Sequence, residues 1–209
     1  MAGKGYAIAC ALLLATLLLI PATRRPALGL APFAPVPALF FALYHLDSAP
    51  PPVEVPWLLL GTTLGLDTAA AVFLLFGGLI WLFAGLDARA SVAAGPERGR
   101  FLLFFLLSMA GNFTLIVGQD LVSFYVGFSL MGLAAYGLVV HYGNQRVRYA
   151  GRIYLVMTII SEMALFAGFV LVFRDTGSLA PGGVQLAGLS DAAVGALLLV
   201  TAGEAFELD

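Results

Sequence analysis

The stretch GRIYLVMTIISEMALFAGFVLVF, residues 151 to 173, carries one carboxylate, Glu162, about ten residues from either end. As a helix rising ~1.5 Å per residue, it would hold that acid near the centre of a ~30 Å hydrocarbon layer. A charge at such depth costs roughly 3 kcal/mol on insertion scales, so the side chain is expected to face protein or water and to titrate. The chemistry offered is the acceptance and return of a proton. Tyr154, Thr158 and Ser161 lie on or beside the Glu162 face at helical spacing, forming a polar stripe. The plainer alternative is a protonated Glu162 that only hydrogen-bonds a neighbouring helix.

A second polar face lies upstream in FYVGFSLMGLAAYG, where Tyr125, Ser129, Gly132 and Tyr136 recur at i, i+4, i+7 and i+11. Ser129 falls at a depth similar to Glu162, so the two stripes are candidates to meet. Ser129, Tyr136 and Thr158 join Glu162 as proton-relay candidates. His141, of the residue type that changes charge near neutral pH, is added at the membrane edge, although an interfacial histidine is more often simply solvated. Ser123, Gly127, Ala134 and Gly137 occupy the opposite flank and are read as small residues for close packing. Ser108, Gly111, Asn112, Gln119 and Asp120 are read as makers of internal hydrogen bonds rather than as an ion path.

The elements that would position these groups are membrane helices. Of 209 residues, 61% are hydrophobic and only 11% charged, and mean hydropathy is +1.00, against about a quarter charged residues in soluble domains. A formal net charge of -2 leaves no footprint for nucleic acid. Cys10 is the single cysteine, so no internal disulfide is possible. No phosphate loop, metal-spaced Cys or His pair, or nucleophile elbow is visible; no catalytic residue, cofactor or metal is expected.

Six stretches are long enough to span, at about 5–21, 27–46, 66–86, 101–118, 120–142 and 151–173, and a seventh, incomplete run begins near Asp191. The expected fold is all-α, a polytopic transmembrane helix bundle in one membrane domain, 1–209, whose N-terminal part, 1–95, holds three spans. The segments APPPVEVPW and GSLAPGGVQLAG read as surface loops because Pro and Gly do not continue a helix cheaply. Arg24 and Arg25, then Arg89, Arg98 and Arg100, then Arg146, Arg148 and Arg152 fall in alternate loops, which puts those loops in the cytoplasm and the N-terminus outside. A cleaved signal peptide is the rival reading of 5–21. It is opposed by the stronger positive cluster following the apolar run rather than preceding it.

The stretches FLLFFLLSMAGNFTLIVGQDLVSFYVGF and SLMGLAAYGLVVHYG, and less clearly VPWLLLGTTLGLDTAAAVFLLFGGLIWLFAGLDAR, resemble the antiporter-like membrane subunits of respiratory complex I, membrane-bound hydrogenases and multisubunit sodium/proton antiporters. The resemblance covers about 55–175 and implies that 96–209 is a partial antiporter-like repeat. It implies a multi-pass subunit of the plasma or inner membrane, moving protons or cations beside other membrane subunits, with a soluble redox or zinc protein as a further partner. Family members read tryptophan then glutamate where this chain has Phe128 and Ser129, and Ser129 can relay a proton but cannot store a charge. The family's buried lysine would fall near AGEAFELD, where Glu204 and Glu207 stand instead, and Glu207 joins the relay candidates. Members generally contain two inverted helix repeats, so a fragment, a split subunit or a relative completed by another polypeptide is expected. The alternative function is a non-conducting scaffold anchoring a soluble partner, as in an inorganic-carbon uptake complex.

Overall fold

The computed structural model describes residues 29–47, 50–55, 61–92, 96–141, 145–177 and 195. The expected first span, with its signal-peptide alternative, and Glu204 and Glu207 lie outside the described residues, as does the seventh run apart from Gly195. Five α-helices are described: α1 Val36–Tyr44, α2 Thr68–Ser91, α3 Pro96–Val117, α4 Leu121–Val139 and α5 Gln145–Thr176. Among the described residues, α2 to α5 contain four segments long and apolar enough to cross a membrane. They correspond to the expected spans three to six, and α5 runs several residues further at its N-terminus than its apolar core.

The second expected span differs. A 3-10 turn, Ala31–Phe33, precedes α1, and the whole apolar piece, Ala31–Tyr44, falls short of a bilayer core. Pro32, Pro35 and Pro37 explain the break. Proline has no N–H to donate and suits only the first turn of a helix, so each restarts the helix rather than continuing it.

The segment expected as a surface loop is instead part of a β-hairpin. β1, Val53–Val55, pairs antiparallel with β2, Thr62–Leu64, in the register Val53↔Leu64, Glu54↔Thr63 and Val55↔Thr62. Prolines before β1 and Pro56 after it forbid a helix, and the alternating Val-Glu-Val suits a half-buried strand. The hairpin docks on the α3–α4 turn: Gly65 N–H donates to the Val117 carbonyl at 2.9 Å, and Gln119 N–H donates to the Thr63 carbonyl at 2.9 Å. Residues 117–119 therefore extend the sheet by a short third edge.

Packing follows chain order. Gly78 and Gly85 of α2 admit Leu39 and Pro32, so the first helical piece lies against α2 without a gap. α3 is the central helix, with Leu102, Leu106, Met109, Ala110, Phe113 and Val117 at most 2% exposed. Between α3 and α4 the backbones touch. A Cβ at Gly111 would lie 2.7 Å from the Gly127 carbonyl, and one at Gly127 would lie 2.6 Å from Leu115 N. α5 packs on α4 and leaves Ile153, Val156, Ile160, Met163, Val170 and Phe173 exposed, as a lipid- or subunit-facing helix would.

Candidate functional site

Two antiparallel helices build the site. Ring contacts Phe124–Phe169 at 6.0 Å and Tyr125–Phe166 at 5.7 Å lock α4 and α5 near one end, and Gly151 against Tyr136 and Val140 does so near the other. This register brings Ser129 and Glu162 level at mid-span. α5 turns Gly151, Thr158, Ser161, Leu165, Gly168 and Val172 inward, a stripe at the three- and four-residue spacing of a packed helix face. Glu162 flanks that stripe, half-buried.

Gly132 sets the separation at the centre. A Cβ there would lie 3.0 Å from Thr158 Cγ2 and 3.6 Å from Glu162 Oε1, so the α4 backbone approaches the carboxyl directly. The Tyr154 hydroxyl donates to the Gly132 carbonyl at 3.3 Å, one turn further along. The Ser129 hydroxyl sits beside the Glu162 carboxyl but outside good hydrogen-bonding geometry. Ser129 Oγ, Ser161 Oγ and Glu162 Oε1 are all buried without a hydrogen-bond partner. Three unsatisfied oxygens together are expensive in an apolar medium and are the mark of a working polar site rather than of packing.

The remaining expected residues are placed as follows. Tyr136 lies on the same seam, its ring against Gly151. His141 is buried at 7% exposure, edge-on to Phe101 at 5.1 Å, and so departs from the picture of a solvated interfacial histidine. The Arg100 guanidinium donates to the His141 carbonyl at 3.1 Å and fixes that end of α4. Glu207 lies outside the described residues. The structure thus brings together Glu162, Ser129, Thr158 and Tyr136 and leaves His141 apart.

The polar residues of α3 take interhelical bonds. The Trp81 indole N–H donates to Asn112 Oδ1 at 3.2 Å, Asn112 Nδ2 contacts Met131 Sδ at 3.6 Å, and the Ser108 hydroxyl donates to the Met131 carbonyl at 3.4 Å. Asp120, 8% exposed, is a clamp that the sequence reading did not resolve. It accepts Ser123 N–H at 2.8 Å, the Ser123 hydroxyl at 2.5 Å and Thr63 N–H at 2.9 Å, capping α4 and holding the hairpin at once. The signal for the cap was present as Asp followed three residues later by Ser at a helix start; the Thr63 bond was not. The described residues contain no group of His, Cys, Asp and Glu able to hold a metal ion.

Four apolar helices with an ionisable side chain held inside the bundle define a multi-pass integral membrane protein. A family profile described as NADH:quinone oxidoreductase/Mrp antiporter, TM, matches residues 118–202, a segment that begins at the α3–α4 turn and includes Ser129 and Glu162. NADH-quinone oxidoreductase subunit N 1 of Acidiphilium cryptum is 33% identical over 120 residues, 54% of this chain and 25% of that protein. Among solved structures, a chain of the membrane-bound sulfane sulfur reductase, an archaeal respiratory membrane complex, superposes with a TM-score of 0.77 at 19% identity, covering 96% of this chain and 43% of its own. A chain of the Mrp complex from Dietzia sp. gives 0.70 at 18% identity, covering 98% and 23%. The chain belongs to the antiporter-like membrane-subunit family. It spans about a quarter of the length of the curated relatives it matches. These matches lend no support to an inorganic-carbon scaffold, and they do not show a soluble redox or zinc partner.

Proposed function

We propose that this chain is a membrane subunit contributing to proton or cation translocation within a larger multisubunit complex, with Glu162 as its titrating group and Ser129, Thr158 and Tyr136 as its relay partners. One observation carries the reading: at mid-span, Glu162 is drawn toward Ser129 and the bare backbone of Gly132 rather than directed at lipid, and its Oε1 is buried without a partner. A carboxyl in this setting can pass a proton along neighbouring hydroxyls, which donate and accept at the same atom. The relatives' printed names, a quinone oxidoreductase subunit and an antiporter complex, support a role among other membrane subunits. The arginine clustering supports an outside N-terminus, and 96–209 is read as a partial antiporter-like repeat.

The test is proton flux through the intact complex purified in mild detergent and reconstituted in vesicles. Glu162→Gln keeps the shape of the side chain and removes its titration, so flux should fall at least tenfold while the complex assembles normally. Unchanged flux in an assembled complex would overturn the assignment.

A further inference from the structure

The α4–α5 seam is chemically lopsided about Glu162. On the side toward the arginine-bearing ends of the helices it presents hydroxyls and glycines: Thr158, 5% exposed; the Tyr154 hydroxyl on the Gly132 carbonyl; and Tyr136 packed over Gly151. On the opposite side it is apolar for about 15 Å of helix rise. Tyr125 packs on Phe166, Phe124 on Phe169 and on Phe128, and Leu121 and Val172 form a buried pair. The buried stripe of α5 changes character at the same point, from Gly151, Thr158 and Ser161 to Leu165, Gly168 and Val172.

We infer that the hydroxyl half of this seam is the route by which Glu162 exchanges protons with water on the arginine-bearing side of the membrane, while the aromatic half is a plug that isolates it from the other side. The inference rests on Glu162 titrating, as proposed above. Hydroxyls can carry a proton by donating one while accepting another, whereas stacked rings and aliphatic side chains offer no such hop. α4 carries no charged residue between Leu121 and Val139, and the ionisable groups facing the seam are Tyr125 and Tyr136 from α4 and Tyr154 on α5 itself. No fixed charge on α4 therefore competes with the hydroxyl route.

The experiment uses the whole complex in vesicles of known orientation, with dicyclohexylcarbodiimide as the probe, since it modifies protonated carboxyls, and modification of Glu162 read by mass spectrometry. Changing pH on the arginine-bearing side should change the labelling rate at least fivefold, and the same change on the opposite side less than twofold. Thr158→Val with Tyr154→Phe should slow the response tenfold, and Phe166→Ser with Phe169→Ser should hand control to the opposite side as well. Labelling that follows the opposite side, or both sides equally, in the unaltered protein overturns the route while leaving Glu162 a titrating group. Labelling indifferent to pH on either side overturns the titration itself. The unaltered protein alone decides both points, so a variant that fails to assemble costs nothing.

Discussion

The contact between α3 and α4 gives a sharp prediction at Gly127. A Cβ placed there meets Leu115 N at 2.6 Å, the Gly111 carbonyl oxygen at 2.9 Å and Leu115 Cα at 3.1 Å, all backbone atoms that no rotamer change can remove. Bringing the closest of these to ordinary contact requires the helices to part by about 0.8 Å, enough to forfeit a quarter to a half of each paired dispersion contact along the interface. Overpacking of this kind costs about 1–3 kcal/mol, offset by up to ~1 kcal/mol from the better helix propensity of alanine. Gly127→Ala should therefore lose about 1–2 kcal/mol. Gly77→Ala is the matched control, because its Cβ meets only Asn112 Oδ1 at 3.5 Å and Ile116 Cδ1 at 3.7 Å. That variant should be neutral or slightly stabilised. Unfolding of the purified protein by SDS in mixed micelles reads both. The reasoning fails if Gly127→Ala proves as stable as Gly77→Ala, since the two differ only in what the added methyl touches.

Other expectations follow from the same geometry. Asp120→Ala should cost about 2–3 kcal/mol, combining a lost helix cap with an unpaired Thr63 N–H, and should speed hydrogen exchange at Thr63; exchange unchanged at that amide would remove the clamp. Asn112→Leu orphans the Trp81 indole and should cost about 1–2 kcal/mol, whereas Asn112→Leu with Trp81→Phe should regain most of it, the interhelical bond itself being worth ~0.6 kcal/mol. A double-mutant cycle with no coupling would refute that pairing. Ser129→Glu introduced together with Glu162→Gln returns an acid to the same depth from the facing helix and should restore at least a third of the unaltered flux. An assembled double variant as inactive as Glu162→Gln alone would show that depth is not what matters.

Much of this architecture was legible because membrane helices announce themselves by length and apolarity, and the arginines mark their ends. The faces of α4 and α5 were legible too: Tyr125, Ser129, Gly132 and Tyr136 stand at helical spacing, as do Tyr154, Thr158 and Ser161, and the residues of each set share one side whatever the neighbour. Three things were not. The breaks at Pro32, Pro35 and Pro37 lie inside a run whose composition alone satisfies a membrane span. The hairpin rests on pairing between Thr63 and residues more than fifty positions later, Gln119 and Asp120, and three-residue strands leave almost no periodicity to detect. Burial of His141 against Phe101 joins α3 to the end of α4, a relation that neither helix carries in its own pattern.

The antiparallel register also explains how the family-like seam can function with Ser129 where the resemblance would place glutamate. In two helices running in opposite directions, a residue on one faces a residue on the other at a single depth, and Ser129 and Glu162 are such a pair. Moving the acid across the seam leaves its distance from either membrane surface nearly unchanged, so the desolvation that makes it a useful proton carrier is retained. What changes is the direction of the supporting helix, and with it the company the acid keeps. On α5, one turn toward the arginine-bearing end from Glu162 lies Thr158, and the next brings Tyr154, while one turn the other way lies Phe166. The location of the acid on α5 therefore selects which side of the membrane its nearest hydroxyls lead to, and that selection is made by local sequence rather than by the remainder of the complex.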